Sequence, residues 1–442
     1  MRMCREQILT NFTDMIRLRT VSFDDPSKAD REEFRRFREL LKERYPDVFS
    51  EGDAYLVGEY GIVIRIPGRE SGDPAVLMAH YDVVPADGDG WETDPFEPVI
   101  RNGRIVGRGT LDTKCTLLSI MEAVQYCLQN GWKPSRDLIL CFGGEEEPCG
   151  PCMQEITAFL KGEGVRPRLV LDEGGAVIPE GVPGLKRTAA MIGIAEKGTA
   201  NYMLEIRDAK GGHASTPPKH TVIGRLAKAA VNIEQHPFPA RLSSPVKLMF
   251  REIAKEADPV MRPLFLGAHL FSPAVSLLAS CMGSSFHAMV RSTTAITIME
   301  GRSSFNVLPD CAAMGINVRL LEGDTVESAA AYLKKVSGDP DAEIHVLHGT
   351  DPTGVSDIRC GEYDLLKKTI QETWPEAAVV PYQMNGGTDS RFFSELTDRI
   401  YKFSPMVMTK EERAMVHGKN ESIAIDALFK MIVFYIRLIK KL

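Results

Sequence analysis

AVLMAHYD, residues 75–82, runs five apolar side chains straight into a histidine and an aspartate two positions apart. In an extended chain, residues two apart point to the same side, so His80 and Asp82 can touch. Two more apolar runs end in acid: LILCFGGEEE (138–147) stops at Glu145, Glu146 and Glu147, and LVLDEGG (169–175) at Asp172 and Glu173. GRGTLDTK (107–114) carries Asp112 behind a flexible turn, and AMVHGKNE (414–421) adds His417 from far down the chain. Short apolar runs bounded by Gly or Pro read as buried strands, and helical patterns such as CTLLSIMEAVQYCLQNG (115–131), with Gly131 as a C-cap, lie between them. Strands alternating with helices imply an α/β fold with a mainly parallel sheet covered on both faces.

The chemistry follows from the residue types. A ligating imidazole usually donates its second ring N–H to a carboxylate, so His80 and Asp82 supply a ligand and its orienter together. Asp112 can offer both oxygens and so can bridge two metals about 3.5–4 Å apart. Taken by itself, it reads equally as the N-cap of a helix opening near Thr113. Three adjacent glutamates at a strand end repel unless cations neutralise them, although a solvated acidic loop is the ordinary alternative. The crevice of an open α/β sheet lies at the carboxyl ends of its strands, where this loop falls. Either Asp172 or Glu173 can be a ligand, and the glycines after them let the backbone come close. His417 alone reads as a surface histidine. As a set, histidines and carboxylates without cysteine suit Zn²⁺, with Mn²⁺ or Co²⁺ as substitutes, in a two-metal hydrolytic site.

At 442 residues the chain is too long for one core, so two domains are expected. The net charge of −7 argues against nucleic acid, whose binding needs a basic face. The amphipathic N-terminus lacks the apolar stretch of a signal peptide. The most apolar later segment, LFLGAHLFSPAVSLLASCM (264–282), is broken by His269 and Pro273 and is too short to span a bilayer. Nine scattered cysteines fit reduced thiols. These features describe a soluble cytoplasmic protein with no membrane partner.

A second αβ pattern interrupts the first. ANYMLEIRD (200–208) reads as a strand, TVIGRLAKAAVNIEQ (221–235) as a helix, and SFNVLPDCAAMGINVRLL (304–321) as two strands joined by Pro-Asp. TVESAAAYLKKV (325–336) is a helix and EIHVLHG (343–349) a strand. This order gives an α+β domain at residues 197–350, inserted into a discontinuous domain of residues 1–196 and 351–442.

The ordered pieces HYDVVPADGDGWETDPFEP (80–98), GRGTLDTK, GGEEE (143–147), LVLDEGG, EKGTANYMLEI (196–206), GGHAS (211–215), NVLPD (306–310), NVRLLEGD (317–324), GGTDSRFF (386–393) and VHGKNE (416–421) cover nearly the whole chain. Together they resemble the di-zinc aminoacylase and carboxypeptidase metallopeptidases, nearest the Gly-X carboxypeptidase and N-acyl-amino-acid hydrolase branch. The resemblance implies two Zn²⁺ per chain, one held by His80, Asp112 and the LVLDEGG acid, the other by Asp112, Glu147 and His417. It favours Glu173 over Asp172, because family ligands usually sit immediately before the small residues. It makes Glu146 the general base of a zinc-bound hydroxide mechanism, and Asp82 the orienter of His80. The inserted domain becomes a lid through which two copies dimerise, with His213 stabilising the oxyanion. Asn306 and Arg319 hold the free carboxylate end of the substrate, and Gly386, Gly387 and Thr388 form a close-approach loop.

The implied activity is hydrolysis of an amide next to a free amino-acid carboxylate, in an N-acyl amino acid or short peptide. No acidic anchor for a free N-terminus stands out, which tips the reading toward N-blocked substrates over a dipeptidase or carboxypeptidase acting on unblocked peptides. A non-catalytic sensor of amino-acid derivatives would have lost the base or a ligand, and every position is filled here. Two departures from the pattern stand out. The glutamates run into Cys149-Gly-Pro-Cys152, which has the spacing of a redox motif. Residues 236–300 exceed a minimal lid, and Phe265, Leu266, Phe271 and Leu277 there can line an acyl pocket, extend the lid core or form a dimer contact.

Overall fold

Three of the apolar runs become neighbouring parallel strands, Leu138–Gly143, Ala75–His80 and Leu169–Asp172, with Ile400–Lys402 parallel beyond them. The first three are buried along their whole length, as parallel strands covered on both faces must be. Register pairs His80 with Gly143 and Leu77 with Leu171, so the histidine, the glutamate loop and the Asp172–Glu173 pair emerge at one end of the sheet. The computed structural model describes every residue except 1–3, 88, 183–184, 186, 209–210, 258–261, 268–283 and 302–303. Phe271 and Leu277 lie outside the described residues.

The parallel pattern holds at the centre and changes at the margins. Gly61–Ile66 runs antiparallel to Leu138–Gly143, and a tight turn joins it to the antiparallel edge strand Asp53–Val57. Ala189–Glu196 and Ala378–Met384 complete the other side. The helix Lys114–Gln129 packs on Ala75–His80 and on the helices Arg5–Arg17 and Ile425–Ile439. It ends at Asn130, with Gly131 in the left-handed region at φ +73° as the C-cap signal requires. The chain divides into two units: Met1–Ile194, Ser356–Pro381 and Thr388–Leu442 form one, and Ala195–Val355 with Tyr382–Gly387 the other.

The second unit is a four-stranded antiparallel sheet ordered Thr293–Glu300, Cys311–Leu320, Gly198–Arg207, Ala342–Thr350. One face is sealed by the helices Val222–Gln235 and Val326–Ser337, which bury Leu226, Ile233, Ala329 and Leu333 against Tyr202, Leu204, Met314 and Ile316. Thr325 and Ser328 close a reciprocal capping box at the start of the second helix, and Gly338 ends it at φ +70°. The outer strand differs from expectation. Val307–Leu308 does not join this sheet but pairs with Gly212–His213, and Thr293–Glu300 takes the edge. That edge strand is mostly exposed, with Ile298 and Met299 about half accessible, so its apolar alternation is too weak to read as a buried strand.

Leu333 is fully buried in this core. Leu333→Ala removes a large part of the helix–sheet contact and costs about 2–5 kcal/mol. Denaturant unfolding followed by circular dichroism measures it; a loss below about 0.5 kcal/mol would mean that this helix face does not carry the second unit.

Candidate metal centre

Asp112 stands between two histidines. Its Oδ1 lies 3.0 Å from His80 Nε2 and its Oδ2 3.1 Å from His417 Nε2. Glu173 Oε1 lies 3.3 Å from His80 Nε2, and Glu147 Oε2 lies 3.0 Å from His417 Nε2. Oxygen atoms of Glu146 and Glu173 gather with a His80 ring nitrogen within 4.8 Å of one another, as do those of Asp112 and Glu147. Asp112 does not cap the following helix, whose N-cap is Thr113.

The tautomer decides what this cluster wants. His80 Nδ1 faces only acceptors, the Asp82 carbonyl at 3.0 Å and Asp82 Oδ1 at 3.3 Å, so its ring proton sits there. The Nε2 lone pair is then left facing two carboxylates. Acceptors opposed to acceptors repel unless a cation or a proton lies between them. Glu147 Oε1 is moreover buried without a hydrogen-bond partner. This donor set fits divalent cations bound by imidazole and carboxylate.

Beside the cluster, two acids are held by protein donors. Asp82 accepts from the Glu146 and Glu147 backbone N–H groups, both at 3.2 Å, and from Ser22 Oγ at 2.7 Å. One carboxylate thus orients His80 and pins the glutamate loop. Asp172 accepts from the Glu173 N–H at 2.9 Å and the Ser390 N–H at 3.0 Å. Of the two acids in LVLDEGG, it is therefore Glu173 that faces His80. Gly175 is required by close approach, since a β-carbon there would sit 1.8 Å from the Met191 carbonyl oxygen.

The remaining sequence candidates belong to other elements. His213 and Asn306 share the ribbon of Gly212–His213 and Val307–Leu308, where the Ala214 N–H donates to the Asn306 carbonyl. His213 Nδ1 is 2.8 Å from Ser215 Oγ. Arg319 lies in the second unit's sheet between Thr199 and Thr293. Gly386 and Gly387 belong to the second unit and Thr388 to the first, where Thr388 caps the short helix Asp389–Glu395. A β-carbon at Gly386 would meet nothing within 4 Å, so no close protein contact demands glycine there. Cys149 is exposed, Cys152 is buried at the start of the helix Cys152–Gly162, and both are unpaired thiols. The Phe265 ring lies tilted against Phe250, with centroids 5.6 Å apart, and Leu266 is half exposed.

Sequence reading missed four buried groups. Glu421 and Arg108 form a buried ion pair at 2.7 Å. Lys114 donates to the Met15 and Leu18 carbonyls at 3.0 and 2.7 Å, and burial pushes its pKa down to about 7. Asp389 is buried with Oδ2 unpartnered; desolvation and the charges of Asp172 and Asp82 hold its pKa well above the ordinary value. Each lies inside a quoted motif, but nothing local marks it as buried.

Titration in the metal-free state follows the geometry. Burial works against a charged His80, but the Glu173 charge and the Asp112 and Asp82 contacts raise its pKa well above normal. Contacts with Asp112 and Glu147 lift His417 to about 10, and burial lifts Glu173 to about 7. Burial, with repulsion from Asp389, Glu173 and Glu147, holds Glu146 well above the usual carboxylate range. A raised pKa contributes stability in full below the unfolded value, and that contribution is lost as pH rises through the folded value. Chelator-treated protein therefore melts at progressively lower temperature from about pH 5 to about pH 9, and saturating divalent cation flattens the trend. Differential scanning calorimetry across that range checks it; a midpoint that rises with pH would contradict the assignment.

Known proteins resemble this chain in sequence and in fold. The chain is 35% identical over 432 residues to the human N-fatty-acyl-amino acid synthase/hydrolase PM20D1, covering 96% of this chain and 86% of that one. Its fold matches an M20 family metallo-carboxypeptidase, Sso-CP2 from Sulfolobus solfataricus, with TM-score 0.72 at 18% identity over 98% of both chains. It also matches YXEP of Bacillus subtilis, described as a dinuclear metal binding peptidase, with TM-score 0.60 at 15% identity over 99% of this chain and 98% of that one. The model of peptidase family M20/M25/M40 matches residues 76–441, and the chain belongs to that family.

Proposed function

We propose that this protein is a two-metal amide hydrolase that releases an amino acid from an N-acylated substrate. The observation that carries the reading is Asp112, which presents one carboxylate oxygen to each of two histidines, each of which also faces a glutamate. His80, Asp112 and Glu173 would hold one cation, and Asp112, Glu147 and His417 the other. Zn²⁺ suits this donor set, with Mn²⁺ or Co²⁺ able to substitute. When bound, such a pair supplies Lewis acidity and lowers the pKa of coordinated water toward about 7.

The chain's own residues do the rest. Asp82 holds the His80 proton on Nδ1, keeping Nε2 free as a donor atom. Glu146 sits in the same cluster, on a loop fixed by Asp82, and takes the water proton at its carboxylate before returning it to the leaving amine. Burial and neighbouring acids raise its pKa, which suits a group that must both accept and release a proton. His213 is assigned to the developing oxyanion. Asn306, Arg319 and the Gly386–Gly387–Thr388 loop are assigned to the substrate's carboxylate end, where the planar fork of Arg319 binds bidentately. The second unit then serves as the lid and the dimer contact. Similarity to a protein named for N-fatty-acyl amino acids favours N-acyl substrates over unblocked peptides. Among the described residues no helix is long and apolar enough to cross a membrane. Unpaired cysteines favour the cytoplasm as the compartment.

Two measurements test this. Turnover of a panel of N-acyl amino acids and free dipeptides should vanish with chelator and return with zinc, with the N-acyl half preferred. Chelator-resistant turnover would remove the metal from the reaction. Glu146→Gln should keep its metals by elemental analysis while kcat falls by about 10²–10⁴. Retained kcat in that variant would assign the base elsewhere.

A further inference from the structure

The segments carrying Asp112 and His417 lie some 300 residues apart in sequence, and one buried acid ties them together. Glu421 is fully buried. Its Oε1 accepts from the Leu111 N–H at 2.6 Å and from the Asp112 N–H at 3.2 Å, 309 residues away. Its Oε2 accepts from Arg108 Nη1 at 2.7 Å and the Gly109 N–H at 3.2 Å. The Glu421 carbonyl accepts from the Gly107 N–H at 2.9 Å. Arg108 then reaches back, donating through Nη2 to the His417 carbonyl at 3.3 Å, while its guanidinium lies over the Trp91 ring. Nearby, Asn420 Oδ1 accepts from the Glu92 N–H at 2.8 Å. His417 itself sits in the left-handed region at φ +58°, a conformation that a non-glycine residue keeps only where its surroundings hold it.

We propose that Glu421, acting with Arg108, is a positioning residue that sets the affinity of the cation position shared by Asp112, Glu147 and His417. The inference rests on the two-metal reading. Its basis is an asymmetry in who holds whom. The Glu421–Arg108 clamp grips the backbone of the shared ligand and of a ligand belonging to one position alone. None of its bonds reaches His80 or Glu173, which are placed instead by Asp82 and by the turn that Asp172 caps. A merely structural ion pair would weaken both positions equally; because Asp112 serves both positions and His417 only one, this clamp should weaken the His417 position more.

Glu421→Gln keeps the side-chain shape, but its amide nitrogen must face N–H groups that now meet a carboxylate. The test is Co²⁺ titration of chelator-stripped protein, followed by calorimetry and by the visible absorption of bound Co²⁺, together with the metal-free melting midpoint. The expected result is one equivalent weakened about 10–100-fold and the other distinctly less, with activity restored by excess Co²⁺. Arg108→Lys, which keeps the charge but loses the fork, should give the same selective loss and decides the matter if the Gln variant fails to fold. Unchanged binding of both equivalents overturns the proposal, as does equal weakening of both with a lowered metal-free midpoint. If wild-type protein takes up fewer than two equivalents, the two-metal reading itself fails, and the clamp falls with it.

Discussion

One carboxylate shared between two imidazoles, Asp112 between His80 and His417, sets the terms for everything around it. Six further acids lie close by in largely buried positions, and unpaired like charges in such a setting are costly. Protein donors sort them into two groups. Asp82, Asp172 and Glu421 are met by backbone N–H groups, with help from Ser22 and Arg108. Asp112, Glu147 and Glu173 point oxygens at histidines instead, and Glu146 joins that second set. The first group builds the frame; the second is the part of the charge left for cations.

The sheet makes this sorting possible. Parallel strands deliver their carboxyl ends to one side, so three loops from distant parts of the chain emerge beside each other. Loops at that end need sharp changes of direction close to other backbone. Gly175, with the Met191 carbonyl 1.8 Å from where its β-carbon would be, shows how little room remains. The antiparallel margin at Gly61–Ile66 adds a turn at the same end, where the Tyr60 carbonyl accepts from Tyr81 Oη at 2.6 Å.

Much of this was legible because the clustered histidines and acids sit where periodicity breaks. Strand ends are easy to find, and a histidine or an acid stack at such an end is conspicuous. The choice between Asp172 and Glu173 was not readable from residue type, since it depends on which one the Ser390 N–H reaches from 218 residues away. Glu421 and Arg108 were unreadable for the same reason: a buried ion pair between distant loops has no local pattern. Asp389 stood one residue past a loop already singled out, and its burial, rather than its identity, makes it unusual. In the second unit the core strands and helices followed their alternation and caps. The strand Thr293–Glu300 did not, because its apolar side chains, Ile298 and Met299 among them, leave no buried face to read.

The donor atoms around Asp112 come from both ends of the chain, and this changes what cation binding means for the protein. His80 and His417 come together only when the sheet, the GRGTLDTK turn and the segment before the final helix are all in place. The unfolded chain has no comparable site, so cation binding adds directly to folding free energy. At about a hundredfold excess over Kd that contribution is about 2.7 kcal/mol per site, a sizeable part of ordinary domain stability. The two positions are not equivalent in this respect. His80 is 2% exposed, whereas the side chain of His417 is 52% exposed on a strained turn held by Arg108. The buried position therefore reports on the sheet, and the open one on whether the C-terminal segment is docked.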